Sequence, residues 1–520
     1  MEQTVVRARR EGLLNAAALS TPGVRCLLYG LLAVACAVWF AVNLTQLSLW
    51  TDEWMTIYYS RSVEATVMDA YHPPLYYAML WGWRALVPLP VTVTTRAFSL
   101  LFLVLTLLLW LHMWRQELGQ SRIVPGVALA ICLLSPHVIL YGRMGRHFTL
   151  TAFLAAMTLW WFLQILKGTS LTVTVGMVLS HMMLALEDYW ALAVILGAEV
   201  LYVAIWKKER LSALVLPVIA SGMTIVFCNW LFKLEQATVI DPTGAPISWK
   251  SGVIALAYPL WSLMLGENLS WLLLAAAVPA IAAWVAVAAR FLPFGRCSAL
   301  PELVRVGLII LGVMLVGCLA MIAVGNRNLD YLKLQTAKLF FPFAPAVYML
   351  AAYAVVDLYA GAVRWILAIA LGSAMLVGTV THHRGVGFLH PVHNMPWKES
   401  AQVLAARTTG SDAVFTVDWA FMDYFSLVGG KATLMILQED LNSVREGRYA
   451  QIWLVTRPIP HAKYSGYFLR VEEAMENRYR EMESIQVGEE GPTLVWLRNI
   501  LTGSGFPYRV TLKRYERIDS

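Results

Sequence analysis

For its first 385 residues the chain alternates long apolar runs with short polar breaks, and then its character changes. Runs of the length that crosses a hydrocarbon core fall near 26–47, 93–114, 123–141, 147–166, 171–187, 189–206, 211–232, 270–290, 304–325, 338–358 and 364–381. The stretch 75–88 is apolar too, but it is short, follows Pro73-Pro74 and is interrupted by Arg84. Omitting it gathers Arg7, Arg9, Arg10, Arg115, Arg122, Lys167, Lys207, Lys208, Arg210, Arg290, Arg296, Arg305 and Arg364 on one side of the membrane. Counting it sends the later basic loops to the side opposite the N-terminus, so the positive-inside rule excludes it. The pattern predicts about eleven spans, a cytoplasmic N-terminal segment 1–25 and an uncleaved first span. It also predicts a helix over 75–88 lying partly in the outer leaflet. Two longer outer loops follow, 48–92 and 233–269, the second with an apolar stretch (253–265) that reads as re-entrant.

Beyond residue 385, short apolar runs at Ala413-Val-Phe-Thr-Val, Gln451-Ile-Trp-Leu-Val-Thr and Thr493-Leu-Val-Trp-Leu read as buried strands. Between them, 397–407 and 469–483 carry helical periodicity. The expectation is a mainly α polytopic membrane protein, its transmembrane domain over 26–384, with a small α/β soluble domain over 385–520. An odd number of spans puts that domain outside, on the periplasmic side of a bacterial inner membrane.

Composition agrees. At 59% hydrophobic and 14% charged residues, the chain holds more apolar surface than a soluble domain could bury, so the bilayer is its solvent. The net charge of +7 is spent in loops, with no basic stripe interleaved with aromatics, which excludes nucleic acid as a partner. The six cysteines (Cys26, Cys36, Cys132, Cys228, Cys297 and Cys318) lie in or beside apolar runs without CxxC spacing, against a disulfide framework or zinc cluster.

Within this apolar chain two carboxylates stand side by side at the mouth of the first span, in Leu49-Trp-Thr-Asp52-Glu53-Trp. Ionisable groups there are costly and are kept for a use. One use is modest: Thr51 or Asp52 caps a helix that starts at Trp54. The other is a general base that takes a proton from an attacking hydroxyl or amine. His72-Pro-Pro follows in the same loop, either as a rigid helix entry or as an imidazole fixed for a phosphate. Outer-side cations also stand where the positive-inside rule would not place them: Arg96, Arg143, Arg146, Arg327, Lys333 and Lys338. Singly each is a snorkelling side chain; together, opposite an acidic pair, they suit a lipid-linked phosphate. Glu187-Asp188-Tyr189 reads as a turn with a helix cap, and His181 as a packed polar residue.

The acidic pair, then His72-Pro-Pro-Leu-Tyr-Tyr, then Arg96-Ala-Phe-Ser-Leu, resembles the GT-C membrane glycosyltransferases, nearest to bacterial protein O-mannosyltransferases and lipid A aminoarabinose transferases. Tyr141–Leu150 is similar to that group's second outer loop, and Lys338-Leu-Phe-Phe-Pro-Phe-Ala-Pro to its late Arg-Tyr-Leu-hydrophobic-Pro motif. The likeness covers roughly residues 26–385. It implies a GT-C-like fold and an inverting transfer from a polyprenyl-phosphate sugar donor to a glycolipid, polysaccharide or protein. It also implies Asp52 as base, Glu53 as helper or metal contact, and Arg146, Lys338 and His72 at the phosphate. A divalent ion on the acidic pair is one alternative to a pair acting alone. Two departures bear on donor and acceptor: His72 stands where aminoarabinose transferases often have lysine, and Met144-Gly145 where an acid usually precedes the arginine. A flippase for lipid-linked sugars, or a non-catalytic subunit of envelope-polysaccharide assembly, would share many of these features. No internal repeat supports the flippase.

Overall fold

The computed structural model describes residues 22–68, 73–118, 121, 123–232, 249–292, 298–324, 336–385, 387–389, 395–436, 441–457, 462–488, 492–502 and 509–518. Each of the eleven apolar runs is helical there. Among the described residues eight helices are long and apolar enough to cross a membrane, and a bent pair makes a ninth. Cys26–Ala41 and Leu171–Ala185 are apolar but shorter. This is a multi-pass membrane protein. The 75–88 stretch is the short helix Leu75–Leu86. The expected re-entrant stretch is the helix Trp249–Leu265, with Pro259 inside it.

The third run is not one helix. Val124–Leu134 and Pro136–Arg143 meet at 62°, because Pro136 has no N–H to continue the ladder and its ring would strike the preceding turn. Ser135 caps the second piece, its hydroxyl accepting from the Val138 N–H at 3.2 Å. The bend carries Arg143 and the loop after it toward the acidic pair.

Burial ranks the spans. Thr336–Leu358 is the central one, with 89% of its most apolar window covered by protein. Lys208–Trp230 and Trp271–Ala289 are peripheral at 28%. They leave Val215, Ile219, Val226 and Trp230, and Leu272 and Val278, exposed, as helices in contact with lipid do.

The C-terminal domain holds one five-stranded sheet: β1 Ala413–Thr416, β2 Thr433–Ile436, β3 Gln451–Thr456, β4 Tyr479–Val487 and β5 Val510–Arg517. Their order is β2-β1-β3-β5-β4. β1 lies parallel between β2 and β3, while β5 runs antiparallel to both β3 and β4. Alternation along β1 and β3 divides the core. Ala413, Phe415, Ile452 and Leu454 pack with Tyr467 and Val471 of the helix Ala462–Met475. Val414, Trp453 and Val455 face the helices Trp397–Ala405 and Trp419–Leu427. That second layer also contains Leu49 and Trp54, residues of the membrane domain's acidic segment. Burying two such side chains is worth roughly 1.5–3 kcal/mol each, so the two domains share a core rather than merely touch.

Two sequence expectations change here. Thr493-Leu-Val-Trp-Leu lies in the helix Pro492–Thr502, not in a strand; a short apolar run fits either state, and Pro492 at the first helical position settles it. The amphipathic stretch 469–483 divides into the end of the helix Ala462–Met475 and the start of β4, across a turn where Asn477 takes φ 65°.

A strap after the last span ties the domains together. Leu389 N–H donates to the Glu267 carbonyl at 2.7 Å, and Leu269 N–H to that of Gly387 at 2.6 Å. Gly387 has φ +68°, and a Cβ there would lie 2.2 Å from the Leu269 oxygen. Gly387→Ala is therefore expected to destabilise the protein by about 1–3 kcal/mol. A thermal-unfolding midpoint matching the parent would contradict that.

Candidate active site

The acidic segment forms the helix Thr51–Tyr59. It begins at Thr51 rather than Trp54, because Glu53 is itself the capping group: its Oε2 accepts from the Trp50 N–H at 3.1 Å. Consecutive helical residues point about 100° apart, so Asp52 and Glu53 have different surroundings.

Glu53 is buried, with its side chain 2% exposed. Arg96 grips it with two parallel hydrogen bonds, Nε to Oε1 and Nη2 to Oε2, each 2.9 Å. Gly145 N–H adds a third at 2.7 Å. Gly145 has no room for a side chain, since a Cβ would sit 2.6 Å from Thr95 Cγ2. Burial pushes the Glu53 carboxyl up, but Arg96, Gly145 and Trp50 outweigh it and hold the group below the usual carboxylate range. The remaining N–H groups of Arg96 donate to the carbonyls of Leu44 (2.7 Å), Leu47 (3.1 Å) and Ser48 (3.4 Å). The pair fastens the loop after the first span to the helix Val91–Glu117.

Asp52 is one-third exposed. Lys338 Nζ lies 3.3 Å from its Oδ2 and Arg146 Nη2 3.7 Å away. Both cations are held in place. Arg146 Nη1 donates to the Asp52 carbonyl (2.9 Å) and Thr56 Oγ1 (3.0 Å). Lys338 stands 4.3 Å over the Trp50 ring and 5.9 Å from that of Phe148. Two buried cations converge on this one open carboxylate, an arrangement that suits an anionic ligand.

The expected residues thus fall into groups. Asp52, Arg146 and Lys338 converge; Glu53 and Arg96 form a separate buried pair. Arg143 turns away and donates to the Phe40 carbonyl at 2.8 Å. His72, Arg327 and Lys333 lie outside the described residues. The two acids do not jointly suit a metal ion, because Glu53 is committed to Arg96 and two N–H groups. Among the described residues no cluster of three His, Cys, Asp or Glu forms a metal site.

Glu267 was not singled out from the sequence. It is 1% exposed and accepts from Tyr141, from Tyr258 (2.9 Å) and from Ser262 (3.0 Å). The signal was there: a lone acid in an apolar stretch. Asp188 caps the helix Tyr189–Trp206 through the Ala191 N–H at 2.9 Å, as expected of a turn. His181 pairs with buried Glu199 at 3.0 Å.

No protein-family model matches the chain, and no curated protein matches it in sequence. Among solved structures, the chain is similar to ArnT from Cupriavidus metallidurans in the apo state. The TM-score is 0.53 at 13% identity, over 94% of this chain and 97% of that one. The same protein bound to undecaprenyl phosphate matches at a TM-score of 0.42 and 14% identity, over 95% and 98% of the two chains. The chain has the fold of apo ArnT.

Proposed function

We propose that the chain is an inverting glycosyltransferase that moves a sugar from a polyprenyl-phosphate donor to a hydroxyl or amine acceptor at the periplasmic face of the bacterial inner membrane. The observation that carries this reading is the Asp52 carboxylate, open to solvent and within 3.7 Å of two buried cations. The GT-C fold supports the same class.

In this reading Asp52 takes the proton of the acceptor as its oxygen or nitrogen attacks the anomeric carbon. The anomeric C–O bond to the phosphate breaks, and its electron pair leaves on the phosphate oxygen. Lys338 and Arg146 stabilise that growing charge. Donor phosphate drawing on both cations also loosens their hold on Asp52 and frees it to act as base. The acceptor would be a glycolipid, polysaccharide or protein.

The deciding experiment is transfer of radiolabelled sugar from a panel of polyprenyl-phosphate donors, with purified protein and Asp52→Asn in parallel. Asp52-dependent release of polyprenyl phosphate with a labelled product is the expected result. Donor translocation between leaflets without transfer, unaffected by Asp52→Asn, would make the protein a flippase instead. In the same assay Lys338→Met is expected to lower kcat/KM by roughly 10²-fold, as loss of one charge-stabilising group does, with Lys338→Arg retaining more. An unchanged kcat/KM in Lys338→Met would remove Lys338 from the phosphate site.

A further inference from the structure

Asp52 is held from the membrane side by Arg146 and Lys338, but its helix is also held from the other domain. Leu49 N–H, three residues before Asp52, donates to the Tyr424 hydroxyl at 2.7 Å in a buried bond. Two residues after Asp52, Trp54 lies in one buried cluster with Phe421 and Phe425, and Asp423 accepts a hydrogen bond from its side chain. Tyr424 and Asp423 are neighbours on the helix Trp419–Leu427. Lys398, on the adjoining helix, donates to the Thr45 carbonyl and stands 5.7 Å over the Tyr424 ring.

The grip brackets the functional side chain. Leu49 and Trp54 are fixed to the soluble domain, and Asp52 lies between them with its carboxylate left open. A register set by two hydrogen bonds and one ring defines where the carboxylate stands, and reaction rate is steep in such placement.

We propose that Tyr424 and Asp423 are positioning residues: through Leu49 and Trp54 they set the orientation of Asp52, making the C-terminal domain a working part of the transfer site. This rests on the transferase reading for its catalytic half, and on geometry alone for its mechanical half. Tyr424→Phe keeps the ring and removes the hydroxyl that accepts from the Leu49 N–H.

The test uses the full-length protein in detergent micelles, comparing the parent, Tyr424→Phe, and Ser426→Ala as an exposed control on the same helix. Hydrogen–deuterium exchange over residues 49–56 reads the helix directly, and sugar transfer reads kcat and donor KM. Tyr424→Phe is expected to exchange faster there and to lose about tenfold in kcat with donor KM unchanged; Ser426→Ala should match the parent in both. Unchanged exchange in Tyr424→Phe overturns the proposal. So does faster exchange with kcat intact, which leaves the transferase reading standing. Faster exchange where the parent itself transfers no sugar from any donor and acceptor overturns the transferase reading and the catalytic half of this proposal, and upholds the mechanical half.

Discussion

Asp52→Asn is expected to lower kcat by about 10²–10⁴-fold, the usual contribution of a positioned general base, while thermal unfolding stays near that of the parent. The substitution is isosteric and removes the carboxylate's negative charge, and with it the ability to take a proton. Arg146 keeps its bonds to the Asp52 carbonyl and Thr56, and Lys338 keeps the Trp50 ring. Because the carboxylate is one-third exposed, water or a buffer anion reaches the two cations it leaves behind. The stability change should then be about 1–2 kcal/mol, between that of an exposed pair and that of a fully buried one. Sugar transfer and a melting curve on one preparation check both halves. Full activity in Asp52→Asn would end the mechanism.

Glu53→Gln, one residue on, should fail in the opposite way. Glu53 and Arg96 are buried together, with side-chain exposures of 2% and 5%, and the amide would leave the guanidinium charge unmatched. Breaking a buried pair from one side costs about 3–5 kcal/mol. The low-lying Glu53 carboxyl works in the same direction: its stabilisation is complete above the ordinary carboxylate range and fades as pH falls through its depressed value. The measurement is chemical unfolding of Glu53→Gln, Arg96→Gln and the double variant. The double variant should be less unstable than the two singles summed, by the pair's coupling. A Glu53→Gln protein as stable as the parent would mean that the pair does not hold the helix in place.

These contrasting predictions show what was legible in the chain. Hydrophobic periodicity gave the helices of the bundle, because a span must satisfy its own backbone and write its length into the sequence. The acidic pair stood out because charge in apolar surroundings is rare. Which acid does what was not legible. Glu53 is defined by Arg96, 43 residues away, and Asp52 by Lys338, 286 residues away; neither separation leaves a local trace. The cap was readable in outline, yet the helix start moved once Glu53 rather than Thr51 or Asp52 proved to be its capping group. The Thr493 run reads as a strand yet folds as a helix, because five residues carry no period long enough to tell the two apart. The shared core of Leu49 and Trp54 with the soluble domain was invisible, since both look like ordinary interfacial residues.

The contact between Leu49 and Tyr424 spans 375 residues, which gives the protein a birth order. At about 5–20 residues per second, a ribosome needs roughly 20–75 s to pass from one partner of that 375-residue separation to the other. Throughout that interval Trp54 lacks the C-terminal residues that share its buried cluster in the folded protein. On the proposed transferase reading, the nascent chain would transfer no sugar until its C-terminal domain has been translated and has folded onto the helix, an ordering set by the chain alone.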